Sequence, residues 1–220
     1  MTIIVLKRYN DEMDVAALIA DIVDSKRIPD RRTFQAGLKK TLESLTRRSR
    51  TLISPYTITL GDEFQAVYGT GEELIGDIFS ILAEVHPVRI RFAVGIGELT
   101  TELDREKALG MDGPAFHAAR AGMNEMKKLK YSLVQAFGED PARYELENAG
   151  LRLSMSIMSG WKRNTFVVFN GLRDGTAVGE LAPLLGIRQR SVYKLITTNR
   201  LREFTAYFSV LARRIGPERG

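Results

Sequence analysis

Two short acidic segments carry the residues best suited to chemistry. Ala20-Asp21-Ile22-Val23-Asp24-Ser25 closes an apolar run, and Leu60-Gly61-Asp62-Glu63-Phe64 sits between two strand-like runs. If those runs are neighbours in one sheet, their tips lie at the same end. Asp21 and Asp62 would then offer hard carboxylate oxygens to one divalent ion, Mg²⁺ or Mn²⁺, with nucleotide phosphates completing the shell. In two-metal phosphoryl chemistry such a pair activates a 3′-hydroxyl and steadies the leaving phosphate. Asp at a strand end also caps turns, so the same residues have an ordinary structural use. Ser25 and Lys26 precede a helical pattern near Pro29 and form a candidate phosphate-binding pair at a helix N-terminus. A serine in that place is also a common cap.

The second constellation lies in the last third, at Val178 to Leu195, VGELAPLLGIRQRSVYKL. Two short helices that cross closely need a small residue at the contact and a turn residue that tolerates positive φ. Ala182 supplies the first and Gly186 the second, and Val192 follows at the matching offset. Leu181, Leu185, Ile187, Val192 and Leu195 then fall inward, and Arg188, Gln189, Arg190, Ser191 and Lys194 fall outward. The segment resembles the general bacterial helix-turn-helix pattern, in which the start of the second helix enters the major groove. Arg188, Gln189, Arg190 and Ser191 are candidates for base edges or nearby phosphates, because Arg pairs bidentately with guanine and Gln with adenine. Lys194, Arg200 and Arg202 suit phosphates. Tyr193 suits stacking, phosphate contact or packing alike. The plainer alternative is a helical hairpin used for dimerisation. Pro183 departs from the pattern, since it removes the backbone bond to Gly179.

The elements that must position these residues follow from periodicity. Strands are expected at Asp14–Val23, Tyr56–Leu60, Phe64–Tyr68, Val88–Ile96 and Leu129–Phe137, with a tight turn at Gly61-Asp62-Glu63. Helices are expected from Pro29 to about Arg47, over Glu72–Val85 and over Gly113–Met126. Two βα units around a central hairpin predict an α+β sandwich with a mainly antiparallel, ferredoxin-like sheet. A boundary is expected near Gly138-Glu139-Asp140-Pro141, with Asp140 capping a helix. The expected division is residues 1–140 as the α+β part and 141–220 as an all-α part, with its helix-turn-helix at about 178–200. Trp161–Leu172 would be the supporting first helix.

Composition narrows the chemistry. The chain of 220 residues has no cysteine, which removes disulfides, thiolate metal sites and cysteine nucleophiles. Its two histidines, His86 and His117, are too few for a histidine-rich metal site, and neither is assigned chemistry. Gly95-Ile96-Gly97 is too short for a phosphate loop. No apolar run reaches the roughly 20 residues that span a bilayer. Met1–Leu6 lacks the order of a signal peptide, so a cytoplasmic protein without a membrane partner is expected. Residues 151–220 hold 12 Lys and Arg against 4 Asp and Glu, whereas residues 1–150 hold 20 against 23. A basic back joined to a slightly acidic front suits a polyanionic partner at the back.

ADIVDS, LGDEFQAVYG, VRIRFAVGIGEL and AFHAAR, in that order, resemble landmarks of the class III nucleotidyl cyclase domain, over about residues 14–137. GDEF is also similar to a motif of diguanylate cyclases. More narrowly, ADIVDS with TLGDEFQ, GMDGPAFHAAR and the basic C-terminal helix-turn-helix resembles the SatD family over nearly the whole chain. The cyclase resemblance implies that Asp21 and Asp62 are metal aspartates. It also implies that Arg120 is the arginine facing transition-state phosphate charge. Ile58 and Phe116 stand where cyclases carry the adenine-reading lysine and the ribose-orienting asparagine. An intact metal pair without base readers implies altered substrate or lost turnover.

The expected function is a DNA-binding transcriptional regulator, a homodimer, whose cyclase-like part binds nucleotide or metal or serves to dimerise. The alternative is a metal-dependent nucleotidyl cyclase or nucleotidyltransferase with a regulatory helix-turn-helix. A third is a scaffold whose basic helices bind a protein.

Overall fold

The computed structural model describes residues 13–59, 61–128 and 134–217. Leu60 and residues 129–133, which belong to the expected hairpin and last strand, lie outside the described residues, as does the Met1–Leu6 segment.

Five strands form one sheet in the order β2-β3-β1-β4-β5: β1 (Asp14–Ile22), β2 (Leu52–Ile58), β3 (Glu63–Tyr68), β4 (Ile90–Glu98) and β5 (Val134–Phe137). All neighbours are antiparallel except β4 and β5, which are parallel. The central β1 is covered on both faces, so Val15 to Ala20 form an unbroken buried run rather than an alternation. One face packs on α1 (Arg31–Arg48) and α2 (Leu74–Val85), and the opposite face on α3 (Pro114–Lys128). Glycine lets α3 lie close: a Cβ at Gly95 would fall 1.9 Å from the Ala115 carbonyl oxygen.

Helix ends fall within two residues of the sequence expectation, and three other differences matter more. The second strand begins at Leu52, four residues before the expected Tyr56, and contains Pro55. A proline is tolerated there because β2 is the edge of the sheet and its pairing with β3 is broken by two register shifts. Its start is pinned by Glu73, which accepts from the Ser49 hydroxyl and from the Arg50 and Thr51 amides. The fourth strand runs from Ile90 to Glu98, two residues later than expected. Asp140 does cap, accepting from the Ala142 amide at 2.9 Å, but it opens a short 3-10 turn ahead of the next helix.

The rest is helical: α4 (Glu145–Met158), α5 (Arg163–Arg173), α6 (Val178–Leu184), α7 (Gln189–Thr198) and α8 (Leu201–Arg214). The composition changes near residue 140, yet the hydrophobic core does not stop there. Asn148 on α4 bonds both the amide and the carbonyl of Ala136, at 2.8 Å each, and so closes part of the β5 edge. Phe79 of α2 meets Phe169 of α5 at 5.0 Å and Phe208 of α8 at 4.5 Å, both edge to face. Arg173 donates to the Gly76 carbonyl and Asn170 to that of Phe79. No helix of the described residues is long and apolar enough to cross a membrane.

Candidate functional site

Register puts three charges side by side across the sheet. Asp21 on β1 is the direct partner of Glu63 on β3 and of Arg91 on β4. Cross-strand partners share a face, so all three project toward α3. That helix adds two cations one above the other. Lys127 Nζ lies 3.1 Å from Asp21 Oδ1, and Arg120 Nη1 lies 2.7 Å from Glu63 Oε1. Arg91 Nη1 lies 2.9 Å from Asp21 Oδ2. The Asp21 and Arg91 side chains are only 13% and 12% exposed. The row therefore holds two carboxylates and three cations, and the buried Arg91 Nε has no acceptor among the described residues.

Asp62 leads elsewhere. Its Oδ2 accepts from the Ser25 hydroxyl at 2.9 Å, and its carbonyl accepts the Ile22 amide at 2.9 Å. Asp21 and Asp62 thus sit at one end of the sheet, as their spacing implies, but each carboxylate has its own partners. This donor set does not fit a divalent ion in the arrangement seen, because both oxygens of Asp21 already face a cation about 3 Å away. Among the described residues, no three His, Asp or Glu side chains gather as a metal group.

Ser25 is buried and Lys26 exposed, on a 3-10 turn (Ser25–Arg27) that precedes α1. The turn follows Asp24, whose φ of 53° is left-handed. The N-terminus of α1 is served by Asp30, which accepts from the Thr33 amide at 3.0 Å. That bond holds the Asp30 carboxyl below its ordinary pKa. Ser25 and Lys26 are therefore not brought together at a helix end. Ile58 is exposed at the end of β2 and Phe116 is buried on α3, so neither offers a polar group to a base.

Sequence reading missed Glu63, Arg91 and Lys127. A usable signal was present for Arg91, a lone guanidinium inside the apolar run IRFAVGI. Lys127 gave none, because its role depends on how α3 is turned against the sheet.

The second locus is the α6–α7 pair. Gly186 has φ +62°, and the Ile187 and Gly186 amides bond back to the Ala182 and Pro183 carbonyls. This is the paired-bond helix ending that a left-handed glycine makes possible. Pro183 lies in the last turn of α6, which accommodates it without ending early. Ala182, Leu181, Val192 and Ile196 are buried. Arg188, Gln189, Arg190, Ser191, Lys194, Arg200 and Arg202 are exposed. Arg200 pairs loosely with Glu203 at 3.7 Å. Among the described residues, Arg188, Arg190, Lys194 and Arg202 have no acidic partner.

A family model described as the SatD family matches residues 15–180. The match takes in the whole sheet and ends inside α6, so α7 and α8 lie beyond it. No curated protein matches. Among solved structures, a bacterial light-regulated adenylyl cyclase is 15% identical with a TM-score of 0.34. It covers 56% of this chain, and this chain spans 43% of it. A regulator of polyketide synthase expression from Bifidobacterium adolescentis is 12% identical with a TM-score of 0.26, covering 92% of this chain and 84% of its own. At these scores neither carries an argument about function.

Proposed function

The chain belongs to the SatD family, and from that premise we propose that it is a cytoplasmic, DNA-binding transcriptional regulator acting as a homodimer. The observation that carries this reading is the solvent face of α7. Its first turn presents Arg188, Gln189, Arg190 and Ser191 to water, while Val192 and Ile196 on the other face are buried. In this reading α6 and α7 are a helix-turn-helix, with α7 in the major groove. Arg188, Gln189, Arg190 and Ser191 meet base edges or adjacent phosphates, and Lys194, Arg200 and Arg202 meet phosphates. Two copies would read paired half-sites one helical turn apart. The β-α-β-β-α-β succession supports a cyclase-like, ferredoxin-like palm over about residues 1–140.

The test is fluorescence anisotropy with genomic duplex fragments at 50 and 200 mM salt. Binding weakened by about 10³ or more over that range is the outcome expected for six or more phosphate contacts. Association that ignores salt would point instead to a protein partner.

A second reading is favoured by the cation excess around Asp21 and the orphaned Arg91 Nε. The row would take a phosphate-bearing ligand such as a nucleotide, either as an effector or as the substrate of a nucleotidyl cyclase or nucleotidyltransferase. Arg120 and Lys127 would meet the phosphates. An enzyme using Mg²⁺ or Mn²⁺ would require Asp21 to exchange its two cations for the ion. Incubation with each nucleoside triphosphate and either metal tests turnover, and activity surviving Asp62→Ala would reject the assigned site.

A further inference from the structure

A cleft of about 570 Å³ opens where the α+β and helical parts meet, and none of the five residues of the row around Asp21 lines it. Its walls come from the α2–β4 connection (His86, Pro87, Val88), from Met155 and Met158 on α4, and from Trp161 and Phe166. Its volume falls within the range of small-molecule sites, and such sites favour junctions between parts of a fold. The two methionines suit a lining that adapts to its occupant. Arg152 and Arg89 stand on the lining and are the charged groups there; Arg89 also reaches Asp24 at 3.8 Å. Ser156 and Ser159 add hydroxyls beside Arg152. Among the described residues, no carboxylate lines the cleft.

We propose that this cleft binds a small apolar carboxylic acid, with its hydrocarbon or aromatic body on Met155, Trp161 and Phe166 and its carboxylate on Arg152. An acid is favoured over a neutral lipid or an amine because both charged lining groups are cations. The body is apolar because most of the remaining wall is. The occupant would also have a mechanical route outward. Trp161 touches Phe169 of α5 at 5.5 Å and Phe204 of α8 at 5.3 Å, and these two helices hold α7. That outward route rests on the DNA-binding reading, whereas the pocket does not.

Trp161 is the only tryptophan in the chain and is a direct reporter. The full chain, without DNA, is titrated with decanoate below its micelle concentration, following Trp161 emission and, in parallel, calorimetric heat. Saturable binding at one site is expected. Decan-1-ol should bind at least about tenfold more weakly, as should decanoate to Arg152→Gln, since a lost charge-assisted hydrogen bond is worth roughly that factor. Ser156→Phe, a surface change at the mouth of the cleft, should abolish binding with an unchanged melting temperature. Equal binding of acid and alcohol, wild-type affinity in Arg152→Gln or in Ser156→Phe, or no saturable signal would each overturn the proposal. None of these outcomes bears on whether α7 binds DNA, so the two readings fail separately.

Discussion

The chain carries two clusters of basic residues, and they are used in opposite ways. In the sheet, Arg91, Arg120 and Lys127 converge on Asp21 and Glu63; Arg91 and the two carboxylates are largely withdrawn from water, and Arg120 and Lys127 reach them from half-exposed positions on α3. On α7, Arg188, Arg190 and Lys194 point outward without acidic partners among the described residues. A buried cation left alone would cost several kcal/mol, so the sheet must supply carboxylates. An exposed cation needs none, because water solvates it and counterions follow it. The first cluster thus links α3 to the sheet and has one cation more than its carboxylates neutralise. The second is poised for a polyanion outside the molecule.

The largest test concerns the ground both clusters share. Phe169→Ala empties the contact between α5 and Phe79, and should cost about 3–5 kcal/mol, lowering Tm by roughly 6–20 °C. Circular dichroism should still show one transition, because a single core runs through both parts. Two separated transitions would break that picture and make the helical part an independent unit.

The triple change Arg188→Ala/Arg190→Ala/Lys194→Ala comes next. It should weaken DNA binding by at least about 100-fold, at roughly 1–3 kcal/mol per contact, and flatten the salt dependence. Melting temperature should move by only a degree or two, as for other exposed positions.

Asp21→Asn should show the reverse pattern. It frees Lys127 and Arg91 of their shared counter-charge and should cost about 1–3 kcal/mol of stability. Inorganic phosphate at millimolar concentration should recover part of that loss in a thermal melt, since the remaining cations become an anion site. DNA binding at a temperature where the variant is folded should be unchanged. A variant as stable as wild type would show that the row contributes nothing to the fold.

The smallest effect is a difference in pH response. Burial opposes ionisation of Glu73, but bonds from Ser49, Arg50 and Thr51 outweigh it and hold its carboxyl below the usual value. Glu147 is likewise lowered, with Arg214 overcoming its burial. For a lowered acid, the contribution to stability is present above the unfolded-state pKa and is lost as pH falls through the folded one. Burial raises Asp77 despite the Tyr68 hydroxyl that bonds it, so its contribution runs the other way and fades as pH rises. Thermal melts from pH 7 to pH 3 should therefore fall more steeply for wild type than for Glu73→Gln. Parallel curves would remove Glu73 from the acid response.

Much of the architecture was legible in local pattern. The alternation of strand and helix, the cap at Asp140, the turn at Gly186 and the inward set Leu181, Leu185, Ile187, Val192 and Leu195 follow from spacing within a turn or two, with Leu181 and Val192 buried and the other three half-buried. The second strand starts four residues earlier than its apolar run implies, and its Pro55 is acceptable because the strand lies at the sheet edge. The sheet site was half legible. Asp21 and Asp62 stand out as acids at strand ends, but nothing near them in the chain shows that Arg91 is 70 positions away and pairs with Asp21.

The two acidic segments that drew attention first show the division of labour. Local sequence determined, to within a residue, where β1 ends and β3 opens; that the two strands are neighbours, so that both tips reach one end of the sheet, came from the pairing. Only the tertiary structure decided that Asp21 faces Arg91 and Lys127 while Asp62 turns to Ser25. The reason is geometric. A side chain's neighbours across a sheet are set by register, and those above it by the rotation of a helix that arrives a hundred residues later. The charged face of α7 needed no such decision, because both its turn and its partition into inner and outer faces are completed within a single short segment.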